Sequence, residues 1–95
     1  LEHIVYRQTQ HTAQLHGLLD RGVIVPGKKA DINLINFEQL GFDMPYMAYD
    51  LPAQGRRLVQ TAHGYEKTFV SGVQTVENDV FTGQLPGALI RGPRK

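Results

Sequence analysis

The chain has 95 residues, of which 41% are hydrophobic and 20% charged, and a formal net charge of +1. That length suits one small domain or a piece of a larger one, and the composition signals neither disorder nor a fibrous repeat. A near-neutral balance supplies no basic field for nucleic acid, and no apolar run approaches the roughly 20 residues of a membrane helix, so neither partner is expected.

Cysteine is absent, which removes disulfides and thiolate metal ligands together and fits a reducing, cytoplasmic compartment. The first residue is Leu1, with no charged-then-apolar leader before it, and the expectation is a fragment cut from something longer. The fold class expected is mainly β with one or two short N-terminal helices.

In chain order, Leu1, Ile4 and Val5 have helical spacing and predict a short amphipathic helix over LEHIVYRQ. Thr9 is placed to cap a second helix, TQHTAQLHG, with Leu15 facing the core and Gly17 ending it. Gly22-Val23-Ile24-Val25 reads as a short strand stopped by the Pro26-Gly27 turn. Ala30, Ile32 and Leu34 alternate and predict a half-buried strand from Ala30 to Asn36.

The segment from Glu38 to Gly55 reads as a long loop, with a short strand around Pro45–Tyr49. Aromatics cluster here, Phe42, Tyr46 and Tyr49, with Phe37 just before the segment. Tyr65–Val70 and Val73–Val76 flank Ser71-Gly72 as a hairpin, and Asn78-Asp79 turns the chain again into Val80-Phe81. The tail from Gly83 is rich in glycine and proline and reads as irregular, with Ala88-Leu89-Ile90 tucked against the sheet.

No spacing assembles an active site. His11 and His16 are five apart, well over 100° around a helix, His63 is followed by Gly64 in a turn, and His3 stands alone; surface or capping roles suit all four. Asp31 opens a strand, Asp43 and Asp50 sit in the long loop, Asp20 suits a cap on the turn at Gly22, and Asp79 suits a turn. Ser71 lies in a hairpin turn, not a nucleophile elbow. Lys28 and Lys29 read as solvated turn residues in a segment without phosphate-loop spacing. Arg56-Arg57 and the terminal Arg91, Arg94 and Lys95 form no stripe. No catalytic, cofactor-binding or metal-binding residue is expected in this chain.

The segment from Gly17 to Leu34, GLLDRGVIVPGKKADINL, resembles the GL-x-DRG-x-(l/i)-x-PG-x-x-AD-(l/i)-x-(l/v) element of the amidohydrolase superfamily. DLPAQGRRLVQ from Asp50 to Gln60, Gly64-Tyr65, TFVSGV from Thr68 to Val73, and TGQLPGALIRG from Thr82 to Gly92 look like the C-terminal region of N-acyl-D-amino-acid deacylases (D-aminoacylases). The PG-x-x-AD element alone is shared with dihydroorotase-, hydantoinase- and urease-like proteins. One departure is Thr12 before Ala13, where the family usually has proline.

The resemblance implies that residues 1–19 close a (β/α)8 barrel and that residues 20–95 form part of a small β-sandwich, whose remaining strands come from the parent's N-terminus. It also implies a parent enzyme in which zinc or a similar divalent metal activates water against an amide carbonyl. The metal ligands and catalytic aspartate of the family lie on barrel strands, so none carries over to this chain. The partners implied are the missing barrel and strands. Exposed sheet edges would also favour self-association. A free-standing β-rich binding module, using the aromatics Phe42, Tyr46 and Tyr49, is the competing expectation.

Overall fold

A computed structural model describes residues 1–94. One helical run, α1, covers residues 2–15 and is followed by eight strands: β1 (Ile32–Ile35), β2 (Gly41–Phe42), β3 (Tyr46–Leu51), β4 (Gly55–Val59), β5 (Ala62–His63), β6 (Tyr65–Val70), β7 (Val73–Glu77) and β8 (Val80–Phe81). All strand pairs are antiparallel: a four-stranded sheet in the order β1-β6-β7-β8, and two ribbons, β2-β5 and β3-β4. The protein is therefore mainly β with one N-terminal helix, and its sheets are open.

The helix departs from expectation. The two segments are continuous, with α-helical Glu2–Tyr6 and Thr12–Leu15 joined through a π-helical turn at Arg7–His11. Thr9 does not cap a new start, because its hydroxyl donates back to the Val5 carbonyl at 2.6 Å inside the run. Tyr6 and His11 stack across the widened turn, ring centroids 5.5 Å apart.

The end is as read. Gly17 takes φ 71°, Gly17 N–H donates to Gln14 O at 3.1 Å and Leu18 N–H to Ala13 O at 2.8 Å. This is the paired closure of a Schellman motif, which satisfies the last carbonyls of the helix. Leu15 does not face a core; it is exposed, and Ala13 is the residue the helix buries.

Residues 22–25 form no strand. Their neighbourhood is closed by local bonds instead: Lys28 N–H to Val25 O at 3.2 Å and Lys29 N–H to Asp20 O at 2.7 Å. β-branched residues favour extended backbone, but a strand also needs a neighbour to pair with, and none lies beside this segment. The strand expected from Ala30 starts two residues later, at Ile32. Ile32 lies opposite Phe69 on one face of the sheet, and Asn33 opposite Thr68 on the other, where Thr68 Oγ1 donates to Asn33 Oδ1 at 2.8 Å.

Both turns expected around β7 are present. Ser71 (φ 51°) and Gly72 (φ 80°) connect β6 to β7, and Asn78 (φ 49°) and Asp79 (φ 67°) connect β7 to β8. Positive φ at both central residues is the turn whose twist matches that of its strands.

The segment from Glu38 to Gly55 holds more strand than expected. β3 is six residues long and pairs with β4 through a turn at Pro52–Gln54, where Ala53 (φ 57°) and Gln54 (φ 59°) are left-handed. His63 stands in β5 rather than in a turn. Ala88, Leu89 and Ile90 are exposed and not tucked against the sheet. The tail is otherwise irregular up to Arg94, whose N–H donates to Gly17 O and whose O accepts from Leu19 N–H. Lys95 lies outside the described residues.

The surface is the most unusual property of the fold. Accessible area is 7896 Å², whereas a self-contained protein of 10.6 kDa exposes about 5,500 Å². The radius of gyration is 15.5 Å against about 12–13 Å for a compact chain of this length. Among the described residues Ala13 is the one buried hydrophobic.

Candidate interaction surface

A groove of about 760 Å³ runs between helix α1 and the start of the sheet. The helix presents Leu1, Ile4 and Val5, the connecting segment presents Val23, Ile24 and Val25, and the floor is Ile32, Ile35, Leu40 and Tyr65. Spacing at i, i+3 and i+4 puts the three helical residues on one side, which explains how that wall arises from sequence. Ile4 is 57% exposed and Ile24 86%, so the groove is open to solvent.

The connecting segment is held against the helix at Gly22, which has φ 93°. A Cβ there would meet Ala13 Cβ and Gln10 Cα at 3.0 Å each, so only glycine allows this approach. The other end of the wall is held by charge. Arg21 donates from Nε to Asp20 Oδ1 at 2.9 Å and from Nη2 to Asp20 Oδ2 at 3.1 Å, and its Nη1 lies 3.7 Å from Asp31 Oδ2. The hydrogen bonds from Arg21 hold the Asp20 carboxyl below its usual range, and those to Asp20 push the guanidinium up.

Asp20 therefore grips its neighbour and does not cap the turn at Gly22. Asp31 Oδ1 accepts Ser71 N–H at 2.9 Å, and Gly72 N–H donates to Ala30 O, so the β6-β7 turn is pinned to the entry of β1. Lys28, expected as a solvated turn residue, is exposed and donates from Nζ to Leu19 O at 2.7 Å.

Exposed aromatics also lie along the chain from Phe37 through β2 and β3. Phe37 is 66%, Phe42 74% and Tyr49 66% exposed. Across the β3-β4 ribbon Asp50 accepts from Arg57 Nε at 2.8 Å and Nη2 at 2.6 Å. This bidentate pairing holds the Asp50 carboxyl below its usual range and pushes Arg57 up.

The titratable residues weighed in the sequence are dispersed. His16 Nδ1 contacts Thr12 O at 3.0 Å, at the helix end. His63 Nδ1 lies 2.9 Å from Gln39 O, and its Nε2 is 3.9 Å from Asp43 Oδ1. Asp43 also accepts from Thr61 Oγ1 at 3.0 Å. Among the described residues no group of three or more His, Asp or Glu residues comes together, and no helix is long and apolar enough to cross a membrane.

No protein family, no curated protein and no solved structure matches this chain.

Proposed function

We propose that this chain is a non-catalytic C-terminal part of a metal-dependent amidohydrolase, closest to the N-acyl-D-amino-acid deacylase group, and that it covers and stiffens one side of the catalytic barrel. The observation that carries this reading is the motif run from Gly17 to Leu34 together with DLPAQGRRLVQ and TGQLPGALIRG. The fold is consistent with it. The helix ends at Gly17, the chain turns at Pro26-Gly27, and Asp31 leads into β1 of an open sheet. Apolar side chains left in water on this scale are those a neighbouring body would cover.

In this reading the parent hydrolyses the amide bond of an N-acyl-D-amino acid. A cyclic amide, as in hydantoinase- or dihydroorotase-like enzymes, is the alternative within the superfamily. The parent's divalent metal would sit on barrel strands outside this chain. The test is the coding sequence upstream of Leu1, which should encode an H-x-H element ahead of a run of barrel strands. An open reading frame beginning within a few codons of Leu1 would count decisively against the proposal.

A second reading is favoured by the exposure of Phe42 and Tyr49: a β-rich binding module whose aromatics make the contact, as exposed aromatics often do. A screen of peptides and glycans by thermal shift tests it, and a melting temperature that no ligand moves would end it.

A further inference from the structure

We propose that the β2-β5 ribbon carries a binding site for a divalent transition-metal ion such as zinc, with His63 Nε2 and Asp43 Oδ1 as its two protein ligands. The inference stands on the geometry of this ribbon and rests on neither reading above.

The placement of protons comes first. His63 Nδ1 lies 2.9 Å from Gln39 O. A carbonyl oxygen only accepts, so Nδ1 carries the proton and Nε2 of the neutral ring is left with a lone pair. Nε2 lies 3.9 Å from Asp43 Oδ1, beyond hydrogen-bond length, and a carboxylate also only accepts. Two acceptor atoms stand side by side with no donor between them, and a cation supplies what both lack. An imidazole N–H held by a backbone carbonyl is also the usual way a metal-ligating histidine has its tautomer and ring orientation fixed.

Both side chains are held from behind. Gly41 pairs with His63 in the ribbon, and a Cβ on Gly41 would lie 2.7 Å from His63 Cε1 and 3.0 Å from Nε2. The ring therefore rests on bare backbone. Asp43, just after β2, donates its N–H to Thr61 O at 2.9 Å and accepts from Gln60 Nε2 through its carbonyl at 3.2 Å. Its Oδ2 accepts from Thr61 Oγ1 at 3.0 Å, which leaves Oδ1 as the oxygen turned to the ring. Hydrogen bonds of this kind orient ligating carboxylates.

The spacing suits an ion. Tetrahedral zinc ligands at about 2.0–2.1 Å stand about 3.3 Å from each other, so the two atoms need to close by about 0.6 Å. Side chains 48% and 63% exposed have the freedom to do so. That exposure also leaves the other coordination positions to water. An imidazole in the pair selects zinc-type ions over magnesium and calcium.

The experiment titrates the full chain with zinc chloride by calorimetry and follows the histidine ring signals by nuclear magnetic resonance, with circular dichroism to confirm folding. One ion should bind per chain, saturating below about 1 mM, and should shift the His63 ring; a tenfold excess of magnesium should not displace it. His63→Gln and Asp43→Asn each remove a ligand and should weaken binding at least about tenfold. Asp43→Asn keeps an acceptor for Thr61, so the ribbon should remain folded in it. Gly41→Ala leaves both ligands in place and pushes the ring aside, and should also weaken binding about tenfold. His3→Gln, beside the N-terminal amine, should leave binding unchanged.

No saturation below about 1 mM zinc, binding that survives His63→Gln, or binding that His3→Gln removes would each overturn the proposal. So would a zinc-induced shift of the His63 ring that Asp43→Asn leaves as it was.

Discussion

Asp79 reaches back across the sheet to Tyr65. Its Oδ1 accepts Tyr65 N–H at 2.8 Å and its Oδ2 accepts Gly64 N–H at 3.1 Å, so the β7-β8 turn fastens the start of β6. Asp79 Cα is itself left-handed, and the substitution that isolates the carboxylate is therefore Asp79→Gly, which keeps that conformation. It should destabilise the chain by about 1–3 kcal/mol, the usual cost of stranding donors that a charged acceptor had satisfied. Denaturant unfolding would register this. Asp79→Asn should retain part of the loss, because it keeps one acceptor oxygen and tolerates the turn.

Gly64, the donor in that contact, has almost no room. A Cβ on it would lie 2.6 Å from Leu40 Cα and 2.8 Å from Leu40 N, with φ at 100°. Backbone atoms cannot swing aside as a side-chain tip can. Gly64→Ala should cost about 2–4 kcal/mol, combining left-handed strain with overpacking. Gly27→Ala is the matched comparison: φ is 90° and nothing lies within 4 Å. It should cost about 1 kcal/mol from conformation alone. Equal losses in the two variants would mean that the Leu40 contact does not matter.

What the sequence disclosed was local. Ser71-Gly72 and Asn78-Asp79 were legible because two adjacent residues carry the turn, and Gly17 because one residue ends the helix. Val23-Ile24-Val25 misled because strand propensity says nothing about whether a partner strand is present. β3 was legible in part, as the short strand around Pro45–Tyr49, but its full length and its pairing with β4 were not. YMAYDL is exposed along most of both faces, so it lacks the in-out alternation that marks a half-buried strand.

The groove was not legible at all. Its lining comes from the helix, the segment 22–31, β1, Leu40 and Tyr65, and only the tertiary fold brings these together. Ile4 and Val5 were correctly read as one face, but not as a face left open.

The Ser71 turn offers a stabilising change. Ser71 carries φ 51° ahead of Gly72 at φ 80°, the arrangement for which Asn-Gly is the preferred pair. Asp31 binds the backbone N–H of Ser71, not its hydroxyl, so the side chain is free to change. Ser71→Asn should gain about 0.5 kcal/mol, or about 2–4 °C in melting temperature for a chain of this size. No gain, or a loss, would show that the hydroxyl contributes more than the backbone preference.

Acid should loosen the β3-β4 ribbon. Arg57 holds the Asp50 carboxyl below its usual range chiefly by hydrogen bonding to it, so the folded ribbon binds a proton less readily than the unfolded chain. The contribution is therefore fully present above the unfolded carboxylate pKa of about 3.9. It is lost as pH falls through the lower folded value. Asp20 shifts in the same direction, but Arg21 is its chain neighbour and can pair with it before folding, which leaves less difference for pH to act on. Asp50 and Arg57 meet only when the ribbon forms. Nuclear magnetic resonance of the β3 and β4 amides should show the ribbon loosening as pH falls below the unfolded carboxylate value of about 3.9 at low salt. The step should shrink in 1 M salt, where screening acts within about 3 Å, and Arg57→Ala should abolish it. A ribbon that opens at the same pH in wild type and Arg57→Ala would rule out this pair as the cause.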